Sequence, residues 1–148
     1  MSLQRLLDSD RLAPAATSAQ EIGDLLRLVR QYLWDAQAES ISADLRFTAA
    51  YQAALQLATI PLRCAGYRTV GGGRHVTVFQ ALPAAMGESY RDLAGYYDAC
   101  RRKRHMAEYQ RVGQISEAEV AELITTTHDF LLQVEKWLAA HHPTLLAE

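Results

Sequence analysis

The chain has 148 residues, of which 49% are hydrophobic and 22% are charged, and its formal net charge is -2. This balance is typical of a globular chain and excludes an intrinsically disordered one, and the length suffices to bury a core without a metal or a disulfide. No apolar run approaches the about 18 residues that a membrane span needs. The two cysteines form no CxxC pair, and the first residues carry charge where a secretory signal is apolar, so we expect a reduced, cytoplasmic protein without a membrane span.

The charges are distributed unevenly along the chain. Between Arg63 and Arg111 there are nine basic and four acidic residues, a local charge of +5, so the rest of the chain carries -7. A basic region on an acidic protein is typical of one that meets a phosphate-bearing partner or an acidic protein surface. The alternative is that these arginines pair with the acidic helices of the same molecule.

We expect two parts of unequal size: residues 1–16, a flexible or short helical segment, and residues 17–148, a single helical domain. The first part shows no sustained hydrophobic period. The domain begins with a helix from Ser18 to about Ala38, because Ser18 and Glu21 form a capping box and apolar residues then recur at helical spacing.

Two further helices are separated by a glycine-rich stretch. One runs from about Ser42 to Gly66, a residue suited to end a helix. The stretch TVGGGRH then predicts a hinge, since it lacks the lysine and the preceding strand of a phosphate-binding loop. A short helix follows from about His75 to Leu82, and Pro83 stops or bends it. Within it, His75 is expected to pack or cap locally, with an active-site role as the alternative.

Two long helices complete the prediction. One covers about Ser89 to Ala107, and the other begins at Ser116, which forms a capping box with Glu119. No segment alternates with period two for long enough to require a strand, and VTVFQ continues better as a helix. The predicted fold class is therefore all-α, an up-and-down bundle of four to five helices.

The segment CRRKRHMAEY holds the densest group of charged side chains. Arg104 falls on the apolar stripe of its helix when residues advance by about 100° each. An arginine on a buried face needs a carboxylate, backbone carbonyls, a partner chain or an anionic ligand, because an unpaired buried charge is costly. An internal salt bridge with Asp44 or Glu39 and a ligand site are the two interpretations of this position.

Three features occur in an order that resembles a known family. AYQAALQLATIPLRCAGYRT occupies a helix, GRHVTVFQAL follows a loop, and an arginine lies near the end of the next long helix. Over about residues 42–140 this order resembles the HEPN superfamily of small bacterial helical domains. The family motif is an arginine, often followed by a polar residue, with a histidine four to six residues further on. Here His105 follows Arg104, and Tyr109 stands where the histidine is expected after four intervening residues.

The resemblance implies a homodimer whose paired motifs line a shared cleft, and metal-independent ribonuclease activity in toxin–antitoxin or phage-defence systems. Arg104 would hold phosphate, and Tyr109 or His105 would stand in for the motif histidine. Because tyrosine, with a pKa of about 10, is a poor base, its presence at this position predicts that catalysis is lost while the fold is kept. Four basic residues would contact the nucleic-acid backbone: Arg101, Arg102, Lys103 and Arg111.

Two functions remain open at this stage. The first is a HEPN-like protein that binds RNA or a nucleotide and, if active, is a metal-independent endoribonuclease. The second is a non-catalytic dimeric module that docks an acidic partner such as a nucleotidyltransferase. For Arg102, an ion pair with Asp98 on a solvated helix face is the alternative to a ligand contact. No cofactor is expected, and no set of side chains is spaced for a metal.

Overall fold

The fold is a helical bundle, seen in a computed structural model that describes residues 1–109 and 112–146. Its α-helices are α1 (Leu3–Asp8), α2 (Ala19–Ala36), α3 (Ala43–Cys64), α4 (Arg74–Met86), α5 (Arg91–Tyr109) and α6 (Glu117–His141). Two short strands are β1 (Leu12–Pro14) and β2 (Tyr67–Thr69), and 3-10 helices cover Glu88–Tyr90 and Pro143–Leu145. The predicted all-α bundle is confirmed. No helix in these two ranges is both long and apolar enough to cross a membrane.

Serine side chains fix where the long helices begin. The hydroxyls of Ser18 and Ser116 each accept a hydrogen bond from the backbone amide three residues further on, which stabilises a helix by about 1 kcal/mol. The capping box predicted for Ser116 and Glu119 is confirmed. At Ser18 only half of the predicted box forms, because the Glu21 carboxylate accepts a hydrogen bond from Arg63 instead.

Helix α3 forms the centre of the bundle and packs against α2, α4, α5 and α6. Its residues are apolar around most of the helix, and its many alanines let the neighbouring helices approach closely. The largest buried side chains of the molecule are aromatic: Tyr51, Tyr97, Phe47, Phe79 and Phe130. Replacing such a side chain by alanine costs about 3–5 kcal/mol, so this cluster dominates the stability of the bundle.

A two-stranded antiparallel sheet joins the N-terminal segment to the bundle, and it corrects the prediction that no strand forms. Leu12 of β1 pairs with Thr69 of β2. Each strand has three residues, too few to show an alternating pattern in the sequence. Arg11 donates from Nε and Nη2 to the hydroxyl of Thr77 in α4, at 3.1 and 2.9 Å. A separate small apolar cluster lies here: Leu6, Leu12, Leu62 and Ala81.

Helix α4 extends further than its sequence predicts. It continues through Pro83 to Met86, whereas the prediction ended it at about Leu82. A proline inside a helix removes one backbone hydrogen bond, but Leu82 is buried in the core, and this packing holds the segment helical. The helix ends at Gly87, whose φ of 123° an L side chain rarely adopts.

Candidate functional site

A cleft of about 260 Å³ lies between the start of α4 and the C-terminal half of α5. Its lining consists of Gly73, Arg74, His75, Val76, Arg101, Arg104 and His105. Three of these residues are arginines, two are histidines, and none of the lining residues that the structure describes is acidic. The cleft therefore has a positive potential that favours an anionic ligand.

The glycine-rich stretch shapes one wall of this cleft. Gly71 and Gly73 have φ values of 76° and 69°, in the left-handed region that glycine adopts without steric cost. The chain turns here from β2 into α4, and Arg74 Nε donates to the Gly71 carbonyl oxygen at 3.1 Å. The stretch is thus a structured turn that places His75 in the first turn of α4, facing α5.

Arg104 is held in the cleft mainly by the ring of Tyr51. Its guanidinium carbon lies 5.0 Å from the ring centroid, a cation–π arrangement. The Arg104 side chain is 19% exposed, and its Nη2 is 3.8 Å from the Glu108 carboxylate, too far for a hydrogen bond. Its Nε is buried and has no hydrogen-bond partner among the described residues. Arg104 therefore retains unused hydrogen-bond donors.

Arg104 forms a salt bridge with neither of the two partners predicted from the sequence, Asp44 and Glu39. Asp44 accepts a hydrogen bond from the backbone amide of Gly113 at 2.8 Å, and the carboxylate within 4 Å of Arg104 is that of Glu108 rather than Glu39. The reason is distance, because Asp44 precedes Tyr51 by about 10 Å of helix.

Tyr51 and His75 form a hydrogen-bonded pair beneath Arg104. The Tyr51 hydroxyl lies 2.9 Å from His75 Nδ1. Burial raises the pKa of Tyr51 far above its ordinary value, so the phenol stays protonated. Burial also lowers the pKa of His75, and the positive charges of Arg104 and Arg101 lower it further. His75 is consequently a neutral imidazole near pH 7.

The basic run of α5 divides between the cleft and ion pairs on the helix surface. Arg101 lines the cleft and also donates to Asp98 at 2.8 Å. The pair predicted between Arg102 and Asp98 is present, and Lys103 pairs with Glu119 of α6. Arg102 and Lys103 do not line the cleft. The fourth residue predicted to contact nucleic acid, Arg111, lies outside the described residues.

Comparison with known proteins identifies the family. A family model described as SAV_6107-like HEPN matches residues 36–135, which include both walls of the cleft. The chain belongs to this HEPN family. No curated protein and no solved structure matches the chain. Membership of the HEPN family indicates, in general terms, a role related to nucleotides or RNA, or to protein interaction.

The residues predicted from the HEPN motif do not all meet in the cleft. Arg104 and His105 line it, whereas Tyr109 does not. The rings of Tyr109 and His105 lie 4.8 Å apart, and Tyr109 is 70% exposed at the end of α5. In this HEPN protein, Tyr109 is therefore placed next to the cleft rather than within it.

Sequence reasoning missed the role of Tyr51 in the site and gave His75 an active-site role only as the alternative to local packing. The expectation for His75 was local packing or capping, but its ring contacts a residue of α3 that lies 24 positions earlier in the chain. The available signal was a histidine directly after a glycine-rich turn, in a basic stretch, and this pattern alone does not specify a partner.

Neither cysteine shows the features of a reactive thiol. Burial raises the pKa of both Cys64 and Cys100 to about 11, so both are protonated near neutral pH. Within the described ranges, no three His, Cys, Asp or Glu side chains are grouped so that they could hold a metal ion.

Proposed function

We propose that the cleft between α4 and α5 binds the phosphate backbone of single-stranded RNA. Membership of the HEPN family supports a role related to RNA, and the arginines of the lining supply the chemistry that a phosphate requires. The basic stretch of an otherwise acidic chain supports the same assignment, because backbone binding depends on local positive charge.

The observation that carries this proposal is the state of Arg104. Its guanidinium rests on the face of Tyr51, the nearest carboxylate is 3.8 Å away, and Nε has no partner in the described part of the chain. An arginine held in place with donors unused is ready to bind two oxygens of one phosphate. Because Nε itself is buried, RNA phosphate would bind the Nη groups of Arg104, which form no hydrogen bond with the described residues.

Two further groups add to the phosphate site. Arg101 lines the same cleft, and its single carboxylate partner, Asp98, is shared with Arg102. The N-terminus of α4 opens at the cleft, and no described side chain caps it. Its backbone amides and the positive end of its dipole favour a bound anion as well.

The exposed ring of Tyr109 suits RNA better than an isolated phosphate ion. It lies beside His105, which lines the cleft, and it is 70% exposed. Unstacked RNA bases bind to such rings with a gain of about 1–3 kcal/mol per base. We therefore assign Tyr109 as a base-stacking residue next to the phosphate site.

The proposal is tested by RNA binding across a salt series. Arg104→Ala should weaken binding of a single-stranded RNA at least about tenfold, since it removes hydrogen bonds to a charged group. Fluorescence anisotropy gives the affinities, and the slope of log affinity against log salt should fall by about 0.7.

The matched control is Arg91→Ala. It removes the same charge from the other end of α5, where Arg91 pairs with Glu88 at 2.5 Å. We expect this variant to bind RNA within about twofold of the unchanged protein, because charges beyond the Debye length are screened. Equal affinity of the Arg104→Ala variant and the unchanged protein at all salt concentrations would reject the proposal.

A second candidate is a module that docks an acidic protein, such as a nucleotidyltransferase of a toxin–antitoxin or phage-defence system. The observation in its favour is a group of exposed apolar side chains near the basic end of α5: Met106, Tyr109 and Val112 are 40%, 70% and 79% exposed. Such side chains are typical of protein interfaces. This candidate would be favoured if a nucleotidyltransferase binds the purified chain, if that binding is lost in the Tyr109→Ser variant, and if neither protein binds RNA.

The homodimer implied by the family is checked by the molar mass in light scattering.

A further inference from the structure

We propose that His75 is a catalytic residue that replaces the missing motif histidine and accepts a proton during RNA cleavage. This inference rests on the proposed RNA binding and adds a reaction to it. Because Tyr109 stands where the family motif has a histidine, the sequence predicts that catalysis is lost. The cleft, however, receives a histidine from α4 that the family motif on α5 does not include.

The first support is the geometry of His75. Its Nδ1 is engaged by the Tyr51 hydroxyl at 2.9 Å, and Tyr51 is fully buried under Arg104. This contact fixes the orientation of the His75 ring. A histidine that transfers protons is oriented by a second residue in this way. No described residue forms a hydrogen bond to Nε2 of His75, so this nitrogen remains for a ligand in the cleft.

The second support is the electrostatic surroundings of His75. The charged or titratable groups that line the cleft or contact His75 are Tyr51 of α3, Arg74 of its own helix, and three residues of α5: Arg101, Arg104 and His105. None of these is an acid that would stabilise an imidazolium. The Asp98 carboxylate of α5 acts on Tyr51 but is paired with Arg101 and Arg102. His75 is therefore present as the neutral base that the reaction requires.

The third support is a second histidine in the same cleft. His105 is exposed and lines the α5 wall, opposite His75 on the α4 wall. Cleavage of RNA without a metal requires a base for the 2′-hydroxyl and an acid for the leaving 5′-oxygen. One histidine can serve as the base and the other as the acid. Arg104 adds a cation for the charge that develops on the phosphate oxygens.

The reaction then follows from these three residues. In the tautomer that the reaction requires, His75 carries its proton on Nδ1 and donates it to the Tyr51 oxygen, and Nε2 takes the proton of the ribose 2′-hydroxyl. The 2′-oxygen forms a bond to phosphorus while the bond from phosphorus to the 5′-oxygen breaks. His105 gives a ring N–H proton to that 5′-oxygen. The products are a 2′,3′-cyclic phosphate and a 5′-hydroxyl, and solvent restores both histidines.

The test is cleavage of a fluorogenic single-stranded RNA by the full chain in EDTA. We expect cleavage of the RNA and none of its all-DNA counterpart, which lacks the 2′-hydroxyl. His75→Ala and His105→Ala should each reduce the rate at least about 100-fold while RNA affinity stays within about twofold. His75→Gln, which can keep a hydrogen bond to Tyr51, should be as inactive as His75→Ala and fold normally.

The matched control is His128→Ala, which removes an exposed histidine of α6 far from the cleft and should leave the rate unchanged. If the unchanged protein binds the RNA but does not cleave it, this inference is overturned and the proposed binding function stands. Cleavage that survives both His75 substitutions also overturns it. Failure to bind RNA at all rejects the proposed function itself.

Discussion

Two partly buried arginines of this HEPN protein, Arg63 at the end of α3 and Arg104 near the end of α5, have opposite surroundings. Their side chains are 12% and 19% exposed, so burial hardly distinguishes them. Arg63 donates to the Glu21 carboxylate at 2.9 Å and to the carbonyl oxygens of Tyr67 and Ala16 at 3.1 and 3.0 Å. Arg104 has an aromatic ring beneath it and a carboxylate at 3.8 Å.

The comparison shows that unused donors, rather than burial, separate a structural arginine from a ligand-binding one. All three nitrogens of the Arg63 guanidinium have protein acceptors, so Arg63 stabilises the fold and none of its nitrogens is without a partner. Arg104 is positioned by a contact that uses only the face of its guanidinium, which leaves the edge available. Four experiments test this distinction, from the largest expected effect to the smallest.

The largest effect is expected from Arg63→Ala. It should lower the free energy of unfolding by about 3 kcal/mol, because it leaves a carboxylate and two carbonyl oxygens without their charged donor. Urea denaturation measures the loss, and RNA affinity of the folded protein should not change. Arg104→Ala should cost less than about 1 kcal/mol in the same assay. Equal losses for the two variants would mean that Arg104 is also a structural residue.

A smaller effect is expected from Tyr51→Phe. The ring under Arg104 remains, but the hydrogen bond to His75 is lost, which costs about 1 kcal/mol of stability. RNA should bind as before, since the cation–π contact is kept, while cleavage slows because His75 loses its orienting partner. Stability, anisotropy and cleavage are compared on one preparation. A drop in RNA affinity equal to that of Arg104→Ala would show that the hydroxyl, not the ring, positions the arginine.

The Arg63 region should also respond to acid. The Thr17 hydroxyl and then Arg63 lower the pKa of Glu21 below its ordinary value near 4.5. The stability that this carboxylate contributes is therefore complete above that pH and is lost as the pH falls through the lower folded value. The contribution is less than about 1 kcal/mol, because Glu21 is 41% exposed. Denaturation between pH 7 and pH 3 should show a flatter curve for Glu21→Gln, and an identical curve would contradict the assignment.

The smallest effect is expected from Glu108→Gln. At 3.8 Å from Arg104, this carboxylate should contribute no more than about 0.5 kcal/mol to stability. Removing its charge should strengthen RNA binding about twofold, because it competes with phosphate for the arginine. Glu88→Gln, at the opposite end of α5, is the control and should leave affinity unchanged. Weaker RNA binding in Glu108→Gln would show that Glu108 helps to hold Arg104 in place.

Much of the fold follows from local sequence signals. Ser116 and Glu119 specify a helix start through atoms only three residues apart, and the apolar stripe places Arg104 on the inner face of α5. The two strands escaped prediction because each has three residues and is stabilised by a partner distant in the chain.

Only one of the two walls of the candidate site could be predicted from the sequence. The α5 wall, with Arg101, Arg104 and His105, follows from one helix, whereas the α4 wall depends on how a glycine turn orients His75 toward Tyr51. The prediction of Asp44 or Glu39 as the partner of Arg104 is wrong for the same reason. Side chains of opposite charge need not lie close together in the bundle. Contacts between helices are set by packing, which local periodicity does not encode.

The sheet of β1 and β2 has a consequence for local unfolding. It closes a loop between the start and the middle of the chain, and the entropy of that closure is offset by short strand pairing, a few hydrogen bonds and a small apolar cluster. This region should therefore open before the bundle does and exchange its amide hydrogens fastest among the paired segments. Since Arg11 holds Thr77, two residues after His75, each such opening also releases one support of the α4 wall. One wall of the cleft is in this way supported by a residue near the N-terminal end of the sequence.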